Sequence, residues 1–147
     1  MPMGGDGEDA AKRRAELAKQ AEYHVEALRR RREHESADAQ VLIDHFVARA
    51  KQAQLATEEL MARPWSGRGR YRTGVVGWYL RHDESMGVGL NGAFYLLAVA
   101  PRRFGRWRAV AIEPTPPPLQ PGQGARDGES ASLAELLELR LHWGVRR

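Results

Sequence analysis

The dipeptide Asn91-Gly92 sits between two short alternating runs, Met86 to Leu90 and Ala93 to Val99. A type I′ turn needs positive φ at both central residues, and Asn-Gly is the pair that accepts it most readily, so the dipeptide predicts a two-residue β-hairpin. Turn length fixes register, and register assigns side chains to faces. Leu90 is expected opposite Ala93, Val88 opposite Tyr95 and Met86 opposite Leu97 on one face. Gly89 then opposes Phe94 and Gly87 opposes Leu96 on the other. A second two-residue turn at Asp83-Glu84 adds Tyr79 to the face of Val88 and sets Trp78 across from Gly89 and beside Phe94, an aromatic ring over a weak strand position.

The period of two begins at Tyr71. Tyr71 to Arg81, Met86 to Leu90, Ala93 to Val99 and Arg106 to Ile112 read as four strands of an antiparallel meander. Both faces are apolar: Val75, Tyr79, Met86, Val88, Leu90, Tyr95, Leu97 and Val99 on one, Val76, Trp78, Leu80, Phe94, Leu96 and Ala98 on the other. Such a sheet needs cover on both sides.

Two helical segments offer it. Leu42, Phe46, Ala50 and Ala53, broadened by Ile43 and Val47, form the face of a core helix over 38–53, with Ser36 or Asp38 as its cap. Ser132 with Glu135 makes a capping box ahead of Leu133, Leu136, Leu137 and Leu141, which predicts a C-terminal helix. One helix is expected on each sheet face, and a face left bare would serve a partner. Between core helix and sheet, a short helical turn is expected from Thr57 through Glu58 and Glu59, ending before Pro64.

Residues 1–8 read as a flexible Gly-rich tail, and 9–35 as a charged helix with a shallow stripe of Ala11, Ala15, Ala18, Ala21, Val25 and Leu28. Glu22, Glu26 and Arg30, and Glu26 with Arg29, stand at helical spacing that stabilises a solvated helix by a few tenths of a kcal/mol per pair. The stripe is the candidate partner-binding surface, projecting or in a coiled coil. Ser36 is tolerated inside a helix, so one continuous helix over 9–53, about 67 Å long at 1.5 Å per residue, fits the residues as well as two. The rest, 36–147, reads as a single α+β domain with a Pro/Gly-rich loop over 113–130. The expected fold is therefore α+β: charged N-terminal helix, core helix, four-stranded antiparallel meander and C-terminal helix.

The 147 residues contain no Cys, which excludes disulfides, thiolate metal sites and cysteine catalysis. With no apolar leader and no run of roughly 20 apolar residues, a cytoplasmic chain without membrane contact is expected.

Several motif matches fail on mechanism. Gly87-x-Gly89-x-x-Gly92 spells a dinucleotide fingerprint but falls in a hairpin instead of between a strand and a helix N-terminus. His34-Glu35-x-x-Asp38 offers two metal ligands without a third. Pro114 to Pro121 contains P-x-x-P matches, read as a stiff spacer carrying the chain to the last helix. No metal, cofactor or catalytic residue is assigned. An enzyme, the third reading, would have to gather His82, Asp83, Glu113 or Asp127 in a pocket.

The net charge of +4 is unevenly spread: residues 64–112 carry eight Arg against two acidic residues. Arg68, Arg70 and Arg72 beside Trp65, and Arg102, Arg103, Arg106 and Arg108 around Trp107, combine phosphate-binding and base-stacking side chains. Twenty of the 23 basic residues are Arg, which looks like coding bias and weakens Arg identity as evidence. The leading expectation is a non-enzymatic protein-interaction module that uses the N-terminal helix or an apolar sheet face to self-associate or hold a protein partner. Binding of single-stranded nucleic acid or RNA by the β-region is the alternative.

Overall fold

The computed structural model describes residues 5–66, 68–103, 107–121 and 131–143. They form an α+β fold. Helix α1 (Gly5–Gln52) is followed by β1 (Glu58–Glu59), β2 (Arg63–Pro64), β3 (Val76–Tyr79), β4 (Met86–Gly89), β5 (Phe94–Leu96), β6 (Ala98–Val99) and α2 (Leu133–Trp143). A four-stranded antiparallel sheet runs β1-β3-β4-β5, and β2 pairs with β6 in parallel.

The expected charged helix and core helix are one element. Ser36 lies inside α1, which starts at Gly5 and so includes part of the expected tail 1–8. The chain nonetheless divides into two compact units, Met1–Glu35 and Ser36–Arg147. All buried residues of α1, Ala39, Ile43, Phe46, Val47 and Ala50, belong to the second.

Helix α1 ends on a left-handed residue, Gln54 (φ 52°). The Leu55 amide donates to Ala50 O at 2.9 Å, and the Leu55 side chain enters the core. This is the Schellman arrangement, with Gln where Gly is usual.

The hairpin differs from the expected one by one residue. Val88 pairs with Phe94, Gly87 with Tyr95 and Met86 with Leu96, leaving a three-residue loop at 90–92. The Gly92 amide donates to Gly89 O at 2.9 Å, and Gly92 has φ 85° whereas Asn91 is not left-handed. Instead of adopting positive φ, Asn91 uses its side chain, with Oδ1 accepting from the Ala93 amide at 3.1 Å. A type I turn closed by a left-handed glycine is the usual three-residue solution. Gln40 Nε2 donates to Gly92 O at 2.9 Å, so α1 holds the turn.

The loop before β4 is also longer than expected. Trp78 pairs with Val88, Leu80 N bonds Met86 O, and five residues, 81–85, make the connection with Glu84 left-handed (φ 59°). These two register changes move β4 alone to the opposite face. Val88 and Met86 therefore join Trp78, Leu80 and Phe94, while Tyr79, Tyr95 and Leu97 stay together on the other side.

Both helices cover the first of these faces, correcting the expectation of one helix per face. Ile43, Phe46, Val47, Leu133 and Leu137 pack with Trp78, Val88 and Phe94 in one core. Phe46 meets Trp78 edge to face at 5.7 Å between ring centroids, a geometry worth about 0.5–1.5 kcal/mol beyond burial. The indole N–H of Trp78 reaches Leu55 O at 3.2 Å. At the start of α2, Ser132 Oγ accepts from the Glu135 amide at 3.2 Å, the cap expected there.

Irregular chain covers the second face. Leu60 packs on Tyr79, Tyr95 and Leu97 with Ile112 beside them, and fills the space over Gly87, where an added Cβ would meet Leu60 Cδ1 at 2.8 Å. Glu58 and Glu59, expected in a helical turn, instead form β1 against Val76 and Gly77. The expected fourth strand over 106–112 does not form in its described part, residues 107–112. In a meander it would lie beside β5, whereas β1 adds to the opposite edge of the sheet, beside β3. The proline-rich segment follows β5, with the Thr115 amide on Phe94 O at 2.8 Å, and reaches α2 where Leu133 N bonds Leu119 O at 2.8 Å.

Two substitutions test these turns by chemical denaturation. Gln54→Gly removes a left-handed side-chain penalty and should stabilise the chain by about 1 kcal/mol. Gly92→Ala should cost about 1–2 kcal/mol or more, because φ is positive and the new Cβ would meet Asp44 Oδ1 at 2.9 Å. Equal stability of the Gly92→Ala variant and the wild type would contradict the turn.

Candidate functional site

The parallel pair β2–β6 sends two basic loops out at the same end. Arg63 pairs with Ala98 and Pro64 with Val99, and Trp65 N continues the ladder to Val99 O at 2.9 Å. Because the strands run in the same direction, the segments after them, from Trp65 and from Ala100, leave side by side. Tyr71 then ties them together: its hydroxyl accepts from Arg102 N at 3.1 Å, and Arg72 O accepts from Val110 N at 2.7 Å. A small cluster of Ala62, Tyr71 and Val110 lies beneath this junction.

The candidate arginines divide by partner. Arg70 binds Glu84, which also accepts from Arg63 at 3.0 Å. Arg72 grips Glu59 through Nε and Nη2 at 3.1–3.3 Å. The hydrogen bond from Arg72 lowers the Glu59 carboxyl pKa below its ordinary value, burial opposes it, and the Arg72 charge adds to the lowering. Arg68, Arg102 and Arg108 make no ion pair among the described residues. Arg103 is exposed, and Arg106 lies outside the described residues.

Trp65 and Trp107 are 72% and 78% exposed. Trp107, Arg108, Arg72, Glu59 and Gly74 line a groove of about 450 Å³. The site thus has two exposed indoles and three arginines without acidic partners among the described residues, while acids from β1 and the 81–85 loop neutralise two other candidates. Sequence reading missed the roles of Glu59 and Glu84. Both partnerships cross from one loop or strand to another, so no local spacing signals them.

On the first unit, Ala11, Ala15, Ala18, Ala21, Val25 and Leu28 are all exposed, as are Leu17 and Tyr23. Glu26 bonds Arg29 at 2.5 Å and lies 3.7 Å from Arg30, and Arg29 lies 4.0 Å from Glu33. The two pairs of Glu26 follow the helical spacing read from the sequence.

Of the residues an enzyme reading would need, His82 lines a cleft with Arg81, Arg140 and Trp143. Asp83 is occupied by Ser85, whose amide and hydroxyl reach Oδ1 at 3.0 and 2.6 Å. Glu113 does not line that cleft, and Asp127 lies outside the described residues. Among the described residues no three His, Asp or Glu side chains gather as metal ligands, and no helix is long and apolar enough to cross a membrane. Compared with family models, curated proteins and solved structures, the chain matches none.

The Arg72–Glu59 bond makes a pH prediction. A carboxyl lowered in the folded state contributes stability above its unfolded pKa, and that contribution is lost as pH falls through the folded value. In an NMR titration Glu59 should titrate below the ordinary carboxylate range, and Arg72→Gln should return it upward. A Glu59 titration unchanged by that substitution would contradict the pairing.

Proposed function

We propose that this chain is a non-enzymatic interaction module that self-associates through its N-terminal helix. The observation carrying this reading is that α1 buries no side chain between Gly5 and Glu35, although Leu17, Tyr23, Val25 and Leu28 are each more than half exposed. A helix without tertiary packing has only local pairs to offset its ordering entropy, and helical stability in proteins comes mostly from packing of an apolar face.

A second copy of the chain suits this surface. Residues 5–35 carry eight basic and eight acidic side chains, so two copies meet without net repulsion, and the alanines permit close approach of helix backbones. The sheet offers less, since Tyr79, Tyr95, Leu97, Trp78, Val88 and Phe94 are already buried within the chain.

Light scattering on the full chain should give a multiple of the 16.5 kDa chain mass. The double substitution Val25→Glu and Leu28→Glu should return it to a monomer with its near-ultraviolet spectrum unchanged. A wild-type monomer at about 100 μM would sink self-association, because a Kd weaker than that corresponds to less than about 5.5 kcal/mol.

The exposed Trp65 and Trp107 beside Arg68, Arg102 and Arg108 support a second reading, binding of single-stranded nucleic acid. Three phosphate contacts give a slope of about −2 in log affinity against log salt. An oligonucleotide should quench tryptophan fluorescence with that dependence, and Trp65→Ala with Trp107→Ala should abolish the signal. Absence of binding at low salt would remove this reading.

A further inference from the structure

Away from the basic loops, the 81–85 connection, the last turn of α2 and residues Leu55 to Glu58 enclose a cleft of about 280 Å³. Leu55, Ala56, Tyr79 and Trp143 line it together with Arg81, Arg140 and the carboxylates Glu58 and Glu84, and two hydrogen-bond donors in it are unmet among the described residues. Trp143 Nε1 is buried and has no hydrogen-bond partner among the described residues. The Arg81 side chain is only 20% exposed, and its ion pair, Nε to Asp83 Oδ2, spans 3.6 Å, too long for a hydrogen bond.

Buried donors and charges are normally satisfied, and two acidic neighbours are already engaged. Glu84 holds Arg63 and Arg70, and Asp83 Oδ1 holds Ser85. Glu58, on β1, also lines the cleft and is exposed to solvent. Arg140 is fixed beside the cleft, its Nε donating to Tyr79 O at 2.7 Å and its guanidinium 5.0 Å from the centre of the Trp143 ring. His82 stands edge-on to the same ring. Arg81 and the Trp143 indole are thus the donors in the cleft that no hydrogen bond among the described residues satisfies.

We propose that this cleft binds a small oxyanion, a carboxylate or phosphate, with Arg81 and the Trp143 indole N–H as the donors that recognise it. A guanidinium takes two oxygens of such a group at once, and the indole N–H supplies a third, directional contact. The volume holds several heavy atoms, since one water occupies about 30 Å³, but lies just under the range of about 300–1,000 Å³ usual for larger ligands. A monoanion carrying a short apolar or aromatic group fits the mixed walls.

The test is an NMR titration of the full chain, following the four tryptophan indole N–H signals at constant pH and ionic strength. Inorganic phosphate and acetate are added in separate series. The Trp143 signal should move saturably, while that of Trp78, already bonded to Leu55 O, stays fixed. Saturation by one anion alone assigns the class, and saturation by both supports the shared oxyanion site. Arg81→Gln should weaken binding about tenfold or more, the effect of losing a hydrogen bond to a charged group. Trp143→Phe, followed by calorimetry, should weaken it while keeping the ring. No saturable Trp143 shift with either anion to about 50 mM, where even Kd values of a few millimolar saturate, would overturn the proposal. So would unchanged affinity in both variants.

Discussion

The rest of the second unit depends on the register of β4. This strand lies between β3 and β5 and alternates Met86, Gly87, Val88 and Gly89, so one of its faces is apolar and the other bears no side chain. With Val88 between Trp78 and Phe94, the apolar face meets both helices. The bare face lets Leu60 settle over Gly87 between Tyr79 and Tyr95. A shift of one residue would put Val88 where Leu60 now sits and open a gap beneath Phe46 and Ile43, destabilising both sides of the sheet. Two odd-length loops, 81–85 and 90–92, hold the strand in this register.

That register decides which surface remains available. With β4 so placed, the described residues of the second unit cover the centre of both sheet faces, one with two helices and the other with extended chain around Leu60 and Ile112. The most exposed large apolar side chains are then Tyr23 and Val25 on α1 before Glu35 and the two indoles of the basic loops, while Val76, Leu90 and Leu96 stay partly open on the sheet. The proposed self-association and the second reading both follow from what the sheet does not use. The oxyanion cleft arises separately, from the long 81–85 loop meeting the end of α2.

Much of this was legible in local sequence. The α+β class, the position of the hairpin, the Ser132 cap and the 3.6-residue stripe around Phe46 rest on short-range rules. Trp78 sharing a face with Phe94, and Tyr79 with Tyr95, also came out as expected, because the two one-residue changes in register cancel between β3 and β5. The face of β4 did not, since Asn91 can support a turn through its side chain as well as through positive φ. Other features depend on distant partners. Glu58 and Glu59 become a strand because β3 offers an edge, the segment around Thr115 and not residues 107–112 meets β5, and Glu84 and Glu59 neutralise arginines far away in sequence. Gln54 carries no composition signal for a left-handed cap. Its conformation is set by Leu55 reaching the core.

Side-chain nuclear Overhauser contacts of the Val88 methyl groups test the central claim most directly, because adjacent registers place these methyls on opposite sides of the sheet. Contacts to the Trp78 and Phe94 rings, with none to Tyr79 or Tyr95, are the predicted result. Contacts to the two tyrosines instead would mean a two-residue Asn91-Gly92 turn and would contradict the account of both sheet faces.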